Sequence, residues 1–357
     1  MNRPWLQAVG RPELTSDWSL AQWQEATRQL RRLRLLARLA EAVETAGLGP
    51  AIPEPVAKLL LAERQTSRYR RRVVAWAATR IARTLQGLDA PLVLLKGSAY
   101  MAQELPIAAG RLPSDLDILV PREALPRAQA MLVADGWQEP ELDEHDRRYY
   151  HEWSHEVPPM QHPMHPVELD LHHNILPPLG PVTIDMAPLL RDLRPSGWPG
   201  WSVLAPVDQV LHSAAHLFFD SEPLERVRDL VDLDGLMRHF AASEADFFAA
   251  LQQRAQALGL MEPLLLAGHF CSRWLDTPLD AGFRQRLQRR DFSLGVQRAL
   301  FARVLAPAAL DRPRPRSQRA AAAMLLWRYH LRRMPLRLLV PHLWHKLNKA
   351  RVDPTPQ

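Results

Sequence analysis

The chain has 357 residues, 47% of them hydrophobic, enough for an extensive core shared by two or three packed subdomains. Its single cysteine, Cys271, rules out an intramolecular disulfide and a cysteine-based zinc cluster, and a net charge of +6 is modest for this length. No apolar run reaches the ~18 residues of a membrane span, and Met1-Asn-Arg-Pro-Trp5 contains no apolar signal region, so a cytoplasmic protein is expected.

In chain order, Ser19-Leu-Ala-Gln22 reads as a capping box opening a helix, with apolar positions at Leu30, Leu33, Leu36, Leu39 and Val43 and a stop at Gly47-Leu-Gly49. A second helix is expected over Arg68 to Leu88, with Val73, Val74, Trp76, Ala77, Ile81 and Leu85 as its inner stripe. Pro91 to Leu95 is a short continuous apolar run, the pattern of a strand buried on both faces. Lys96-Gly97-Ser98 then turns into a helix reaching about Leu105. A strand follows from Leu116 to Val120, and a helix from Pro121 to Ala134 that Gly136 ends. About twenty polar and aromatic residues lead to a strand from Val167 to Leu171. Prolines 177, 178, 181, 188, 195 and 199 make the next stretch an irregular linker.

From Pro206 the pattern is helical: Val207 to Phe219, Leu224 to Phe240, Glu244 to Leu258, Pro263 to Leu275, and further helices to Lys349 after a break at Asp311 to Arg316. The expected fold class is α+β, a small mixed β-sheet core with N-terminal helices and a C-terminal helical domain. The corresponding segments are 1–66, 67–200 and 201–357, the last with a basic tail.

The chemistry concentrates in Arg111-Leu-Pro-Ser114-Asp115-Leu-Asp117-Ile-Leu-Val120. Side chains two apart on a strand share a face, so Asp115 and Asp117 stand together, roughly 6.6 Å apart along the strand. Two acids held that close need a counter-ion, and oxygen ligands suit Mg²⁺ or Mn²⁺. On the strand Val167-Glu168-Leu169-Asp170-Leu171-His172, the alternation puts Glu168, Asp170 and His172 on the face opposite the apolar residues. If the two strands are neighbours, Asp170 completes a carboxylate triad able to hold two metal ions for an in-line phosphoryl or nucleotidyl transfer, with Glu168 its competitor. Gly97 and Ser98 at a strand-to-helix turn suit a phosphate. Lys96 and Arg111 could neutralise a triphosphate. Asp-x-Asp alone occurs often by chance; it gains meaning from the upstream Gly-Ser and the downstream Glu-x-Asp.

This order of motifs resembles the nucleotidyltransferase fold of the DNA polymerase β superfamily. More narrowly, Leu94-Leu-Lys-Gly97, Arg111 to Val120, Ala134-Asp-Gly-Trp137 and Asp170-Leu-His172 look like a bacterial family of uncharacterised nucleotidyltransferases. His212-Ser-Ala-Ala-His216 and Arg226-Val-Arg-Asp-Leu-Val-Asp-Leu233 are similar to that family's later helices, so the likeness spans roughly Trp18 to Leu275. The resemblance implies metal-dependent transfer of a nucleoside monophosphate from a nucleoside triphosphate to an acceptor hydroxyl, with pyrophosphate leaving. It implies that Asp115 and Asp117 hold Mg²⁺ or Mn²⁺ and that Asp170 is the third ligand and orients or deprotonates the acceptor. Gly97 and Ser98 would hold the phosphates, with Lys96, Arg111 and Ser114 completing the nucleotide site. Here Lys precedes the Gly-Ser pair and Ala99-Tyr100 follows it, a departure from the superfamily's usual turn. The acceptor, whether small molecule, tRNA or protein, is left open. Two other readings stand beside this one: a catalytically silent nucleotide- or RNA-binding module, and a toxin-like enzyme modifying tRNA or protein.

His145, His151, His155, His162, His165, His172 and His173 crowd one region, but their spacing matches no standard zinc pattern. They read mainly as solvated hairpin residues, with a structural zinc site the minor alternative and His172 a candidate near the acceptor. Arg226, Arg228 and Asp229 read as a helical ion pair, with one arginine reaching the cleft toward base or phosphate as the alternative, and Cys271 reads as core. The basic run Arg328, Arg332, Arg333, Arg337, Lys346, Lys349 and Arg351 reads as a solvated helix face, with nucleic acid or peripheral contact with an anionic membrane as alternatives.

Overall fold

A computed structural model of the chain describes residues 4–333 and Leu339, apart from Glu222, Arg290 and Asp311 and the side chains of His145 and His151. Arg337, Lys346, Lys349 and Arg351 of the basic tail lie outside the described residues. The centre is a mixed six-stranded sheet in the order β3-β4-β2-β1-β6-β5. Its strands are β1 (Val93–Leu94), β2 (Asp115–Leu119), β3 (Met160–His162), β4 (His165–His172), β5 (Arg194–Pro195) and β6 (Ser202–Val203). β2 runs antiparallel to β1 and parallel to β4. The expected α+β class, a small mixed sheet with helices before and after it, describes the molecule. The proline-rich stretch read as a linker also contributes strand β5 at the sheet edge.

The helices, leaving aside two of one turn, are α1 (Leu20–Arg32), α2 (Leu36–Thr45), α3 (Glu54–Thr84), α4 (Lys96–Ala102), α5 (Leu125–Asp135) and α6 (Glu144–Trp153), followed by α7 (Pro206–Phe218), α8 (Val227–Ser243), α9 (Phe247–Ala257), α10 (Met261–Trp274), α11 (Ala281–Gln288), α12 (Phe292–Val304) and α13 (Arg316–Arg333). The capping box at Ser19 forms, its hydroxyl accepting from the Gln22 amide. The single helix expected beyond it is two, because Arg34 takes a left-handed backbone (φ 57°) that lets the Leu35 amide reach the Leu30 carbonyl at 2.7 Å. Helix α3 starts well before Arg68 and buries Val74, Ala77, Ala78 and Ile81, while Trp76, placed in its inner stripe, is half exposed and lies against the His165 ring. Helix α6 forms within the polar, aromatic stretch; Asp143 caps it, its carboxylate accepting from the Asp146 amide.

One continuous apolar core runs from Val74 and Ile81 through Leu116, Ile118, Leu169 and Leu171 into Leu211, Leu233, Phe270 and Leu325, so the sheet and the later helices are packed together. Cys271 is buried within it. The N-terminal helices form a second cluster in which Trp23, Leu30, Leu36 and Leu39 meet Val227 and Val231 of α8. No helix of the described residues is long and apolar enough to cross a membrane.

A buried ionic clamp ties these layers together. Asp232 of α8 receives Arg38 of α2 on one oxygen and Arg111 on the other, the latter at 3.1 Å, and all three are buried. Gly110 lets the chain enter this clamp: its φ is +68° and a Cβ there would lie 2.4 Å from the Ala37 carbonyl oxygen. At Gly97 a Cβ would fall 1.8 Å from Arg111 Nη1. Helix propensity alone would favour alanine there by up to ~1 kcal/mol, but Arg111 is held by Asp232 and cannot simply swing away. Gly97→Ala is therefore expected to destabilise the protein by about 1–3 kcal/mol, the usual range for overpacking. An unchanged urea midpoint would contradict that packing.

Candidate active site

The site is built on β2 and β4. Their parallel register sets Asp115 opposite Glu168, Asp117 opposite Asp170 and Leu119 opposite His172. Paired residues on adjacent strands share a face, so the two acidic strands present their carboxylates together while Leu116, Ile118, Leu169 and Leu171 go into the core. Asp115 and Asp170 line a cleft of about 380 Å³, within the range of small-molecule pockets. Glu168 is set aside from it, its Oε2 accepting from Gln161 Nε2 at 3.1 Å.

Asp117 lies just beneath the cleft surface, 4% exposed. Its Oδ1 accepts from Lys96 Nζ at 2.7 Å and lies 3.2 Å from His172 Nε2. Burial opposes its charge, but Lys96 and His172 outweigh that and hold the carboxyl far below the usual carboxylate range. Asp170 behaves oppositely: burial and the facing carboxylates of Asp117, Glu156 and Asp115 push it up to about 8. Four acids, Asp115, Asp117, Asp170 and Glu156, gather around a single lysine, and their like charges, not fully offset, favour the protonated form of Asp170. Lys96 itself, against the pull of burial, is kept charged by Asp117. Its backbone is left-handed (φ 46°), a conformation that for a non-glycine residue is worth of order 1–3 kcal/mol of strain and recurs at functional sites.

Not all the residues singled out from sequence converge on the cleft. Lys96, Asp115 and Asp170 line it, and Asp117 supports them. Ser114 is exposed beside Asp115, its hydroxyl 3.3 Å from Asp115 Oδ1. Ser98 is buried at the start of α4, its hydroxyl reaching the carbonyls of Leu95 at 2.7 Å and Asp117 at 3.1 Å, so it ties α4 to β2. Gly97 is buried under Arg111, whose guanidinium belongs to the Asp232 clamp and lies over the Tyr100 ring.

The far wall comes from elements that local sequence patterns did not assign to a site. Tyr149 and Tyr150 of α6 contribute to it, as do Ser154, His155 and Glu156 just beyond, and Tyr329 and Arg333 of α13. The Arg333 guanidinium lies against both the Tyr149 ring (5.2 Å) and the Tyr329 ring (5.3 Å), and donates to the Trp153 carbonyl at 3.2 Å. Arg328 and Arg332, read as part of a solvated face, both bind Glu262, Arg332 at 2.6 Å while remaining exposed and Arg328 partly buried. His216 lines the cleft and His212 is buried behind it; burial and Lys96 push His212 down to about 3. Arg226 and Asp229 form the expected helical pair, Nε to Oδ2 at 2.6 Å, and Arg226 also holds Asp220 at the cleft edge.

The three carboxylates on a mixed sheet, walled by helices, define a carboxylate-floored cleft. A family model described as uncharacterised nucleotidyltransferase matches residues 19–276, which takes in α1 to α10 and the whole sheet. The chain belongs to that family of nucleotidyltransferases. Comparisons with curated proteins and with solved structures returned no match.

Proposed function

We propose that the cleft transfers a nucleoside monophosphate from a nucleoside triphosphate, ATP among the candidates, to an acceptor hydroxyl, with release of pyrophosphate and dependence on Mg²⁺ or Mn²⁺. The observation that carries this reading is the parallel register of β2 and β4, which sets Asp117 beside Asp170 with Asp115 on the same face. The donor set is all oxygen, as hard divalent cations require, and the upward push on the Asp170 carboxyl reflects acidic charge that Lys96 alone does not balance. Asp115, Asp117 and Asp170 would hold the metal. When bound, it supplies Lewis-acid stabilisation of the charge developing on the transferred phosphoryl group and on its leaving oxygen.

The chain's own groups do the rest. Lys96 and Arg333, the latter braced by two tyrosine rings, both line the cleft and would neutralise a triphosphate bound there. Asp170 orients the acceptor hydroxyl. Gly97 and Ser98 act from beneath, holding α4 against the strand that carries Asp117. The nucleotide would enter between segment 67–200 and the helices that follow it.

The test is a mass-shift screen of small molecules, tRNA and proteins, using the full-length chain with Mg²⁺ and the four nucleoside triphosphates. One acceptor should gain a nucleoside monophosphate with equimolar pyrophosphate, and chelator should abolish the reaction. Gain of a single phosphate, or transfer that persists in excess chelator, would overturn the assignment. Metal-dependent nucleotide binding with no turnover across the panel would favour the silent binding module.

A further inference from the structure

Outside the three aspartates, the described residues contain two groups of histidine and acid whose ligand atoms converge, Asp135–His162–His165 and His155–Glu156–His172. The second borders the cleft. His172 Nδ1 lies 3.2 Å and His155 Nε2 4.0 Å from the same carboxylate oxygen, Glu156 Oε2. Ligand atoms around a tetrahedral ion bound at ~2.0–2.1 Å are about 3.3 Å apart, so small side-chain rotations suffice to close the set. The backbone fixes their positions: Glu156 bridges to His172 across the sheet edge, and the His173 amide donates to the His155 carbonyl at 2.8 Å.

His172 carries the decisive observation. It is fully buried, and its two ring nitrogens each face a carboxylate oxygen at 3.2 Å, Nε2 toward Asp117 and Nδ1 toward Glu156. Yet Nδ1 makes no hydrogen bond. A neutral imidazole has one N–H. If that N–H serves Asp117, Nδ1 is left as a buried acceptor with no donor, beside an anionic oxygen, and a cation ligated by both would satisfy the pair. A histidine that binds a metal through one nitrogen and gives the other N–H to a carboxylate is the usual orienting arrangement in metalloproteins. His155 and Glu156 line the cleft, so a fourth coordination position would open onto it.

We propose that His155, Glu156 and His172 bind a borderline divalent transition ion, Zn²⁺ by choice of donors, at a site separate from the all-oxygen set of Asp115, Asp117 and Asp170. Two imidazoles and one carboxylate with an open position match the donor set of catalytic rather than structural zinc. The inference rests on these residues alone and stands whether or not the cleft transfers nucleotides.

Full-length protein stripped with chelator and titrated with Co²⁺ tests it. The wild type should develop the visible bands of tetrahedral Co²⁺, displaced by Zn²⁺ and untouched by excess Mg²⁺. His155→Asn and Glu156→Gln should each weaken Co²⁺ affinity by about tenfold or more, while His162→Asn keeps it. Absence of the bands, persistence of binding in both His155→Asn and Glu156→Gln, or loss on His162→Asn would overturn the site. Should either substitution impair folding, X-ray absorption of the Zn²⁺-loaded wild type decides. A shell with two imidazoles and oxygen is expected, and a shell lacking imidazole contradicts the proposal.

Discussion

Replacing Asp117 by asparagine is expected to lower nucleotidyl transfer by roughly 10³-fold or more, with little change in the fold. Asp117 is the most constrained of the three carboxylates, bonded to Lys96, beside His172, and paired in register with Asp170. The asparagine keeps the shape but removes the charge that a divalent cation needs. Lewis-acid stabilisation is worth several kcal/mol, and each 1.36 kcal/mol is about tenfold in rate. Lys96 loses its partner, but it borders the cleft and can be rehydrated there, so the stability effect is smaller than the catalytic one. Steady-state pyrophosphate release with the acceptor found by the mass-shift screen measures the ratio. A residual rate above about a tenth of wild type would remove Asp117 from the metal site.

The largest effect on stability is expected at Asp232. Asp232→Ala leaves both Arg38 and Arg111 buried without their shared anion. Breaking a buried pair by removing one partner typically costs about 3–5 kcal/mol, a large part of the roughly 5–15 kcal/mol that stabilises a domain. The loss should fall on the junction between α2, the segment entering β2 and α8, the three elements the clamp joins. Urea unfolding of the variant should show it directly, and a loss below about 1 kcal/mol would mean that the clamp is not a net anchor. The converse substitution is informative: replacing all three residues by apolar ones of similar size is expected to be nearly neutral or stabilising, since the desolvation of three charges disappears with them.

Much of the floor of the site was legible because it depends on local periodicity. The alternation in Asp115-Leu-Asp117 and Glu168-Leu-Asp170-Leu-His172 declares which side chains share a face, and the apolar partners between them declare the strands. What alternation could not supply was the neighbour relation of the two strands, or the choice between Glu168 and Asp170, which depends on what else borders each. The walls were less legible. Helix α6 lies in a polar stretch with little apolar pattern, and its fold depends on the Asp143 cap and on Trp153 being buried. Arg333 meets the Trp153 carbonyl across 180 residues of sequence, a contact no local motif encodes. Arg111 shows the same point from the other side. Its place in Arg-x-x-Ser-Asp-x-Asp suggests a phosphate, whereas its partner Asp232 is 121 residues away. Arg34, with ordinary helix propensity, breaks a helix because the chain must turn there to pack α1 against α2.

Calorimetry with a non-hydrolysable nucleoside triphosphate analogue tests the central claim most directly, since it needs no acceptor. Binding should require Mg²⁺ or Mn²⁺ and should be lost, with the fold retained, in Asp115→Asn and in Asp170→Asn. Equal affinity without metal, undiminished binding by both variants, or no binding by the wild type would contradict a metal-dependent nucleotide site on β2 and β4.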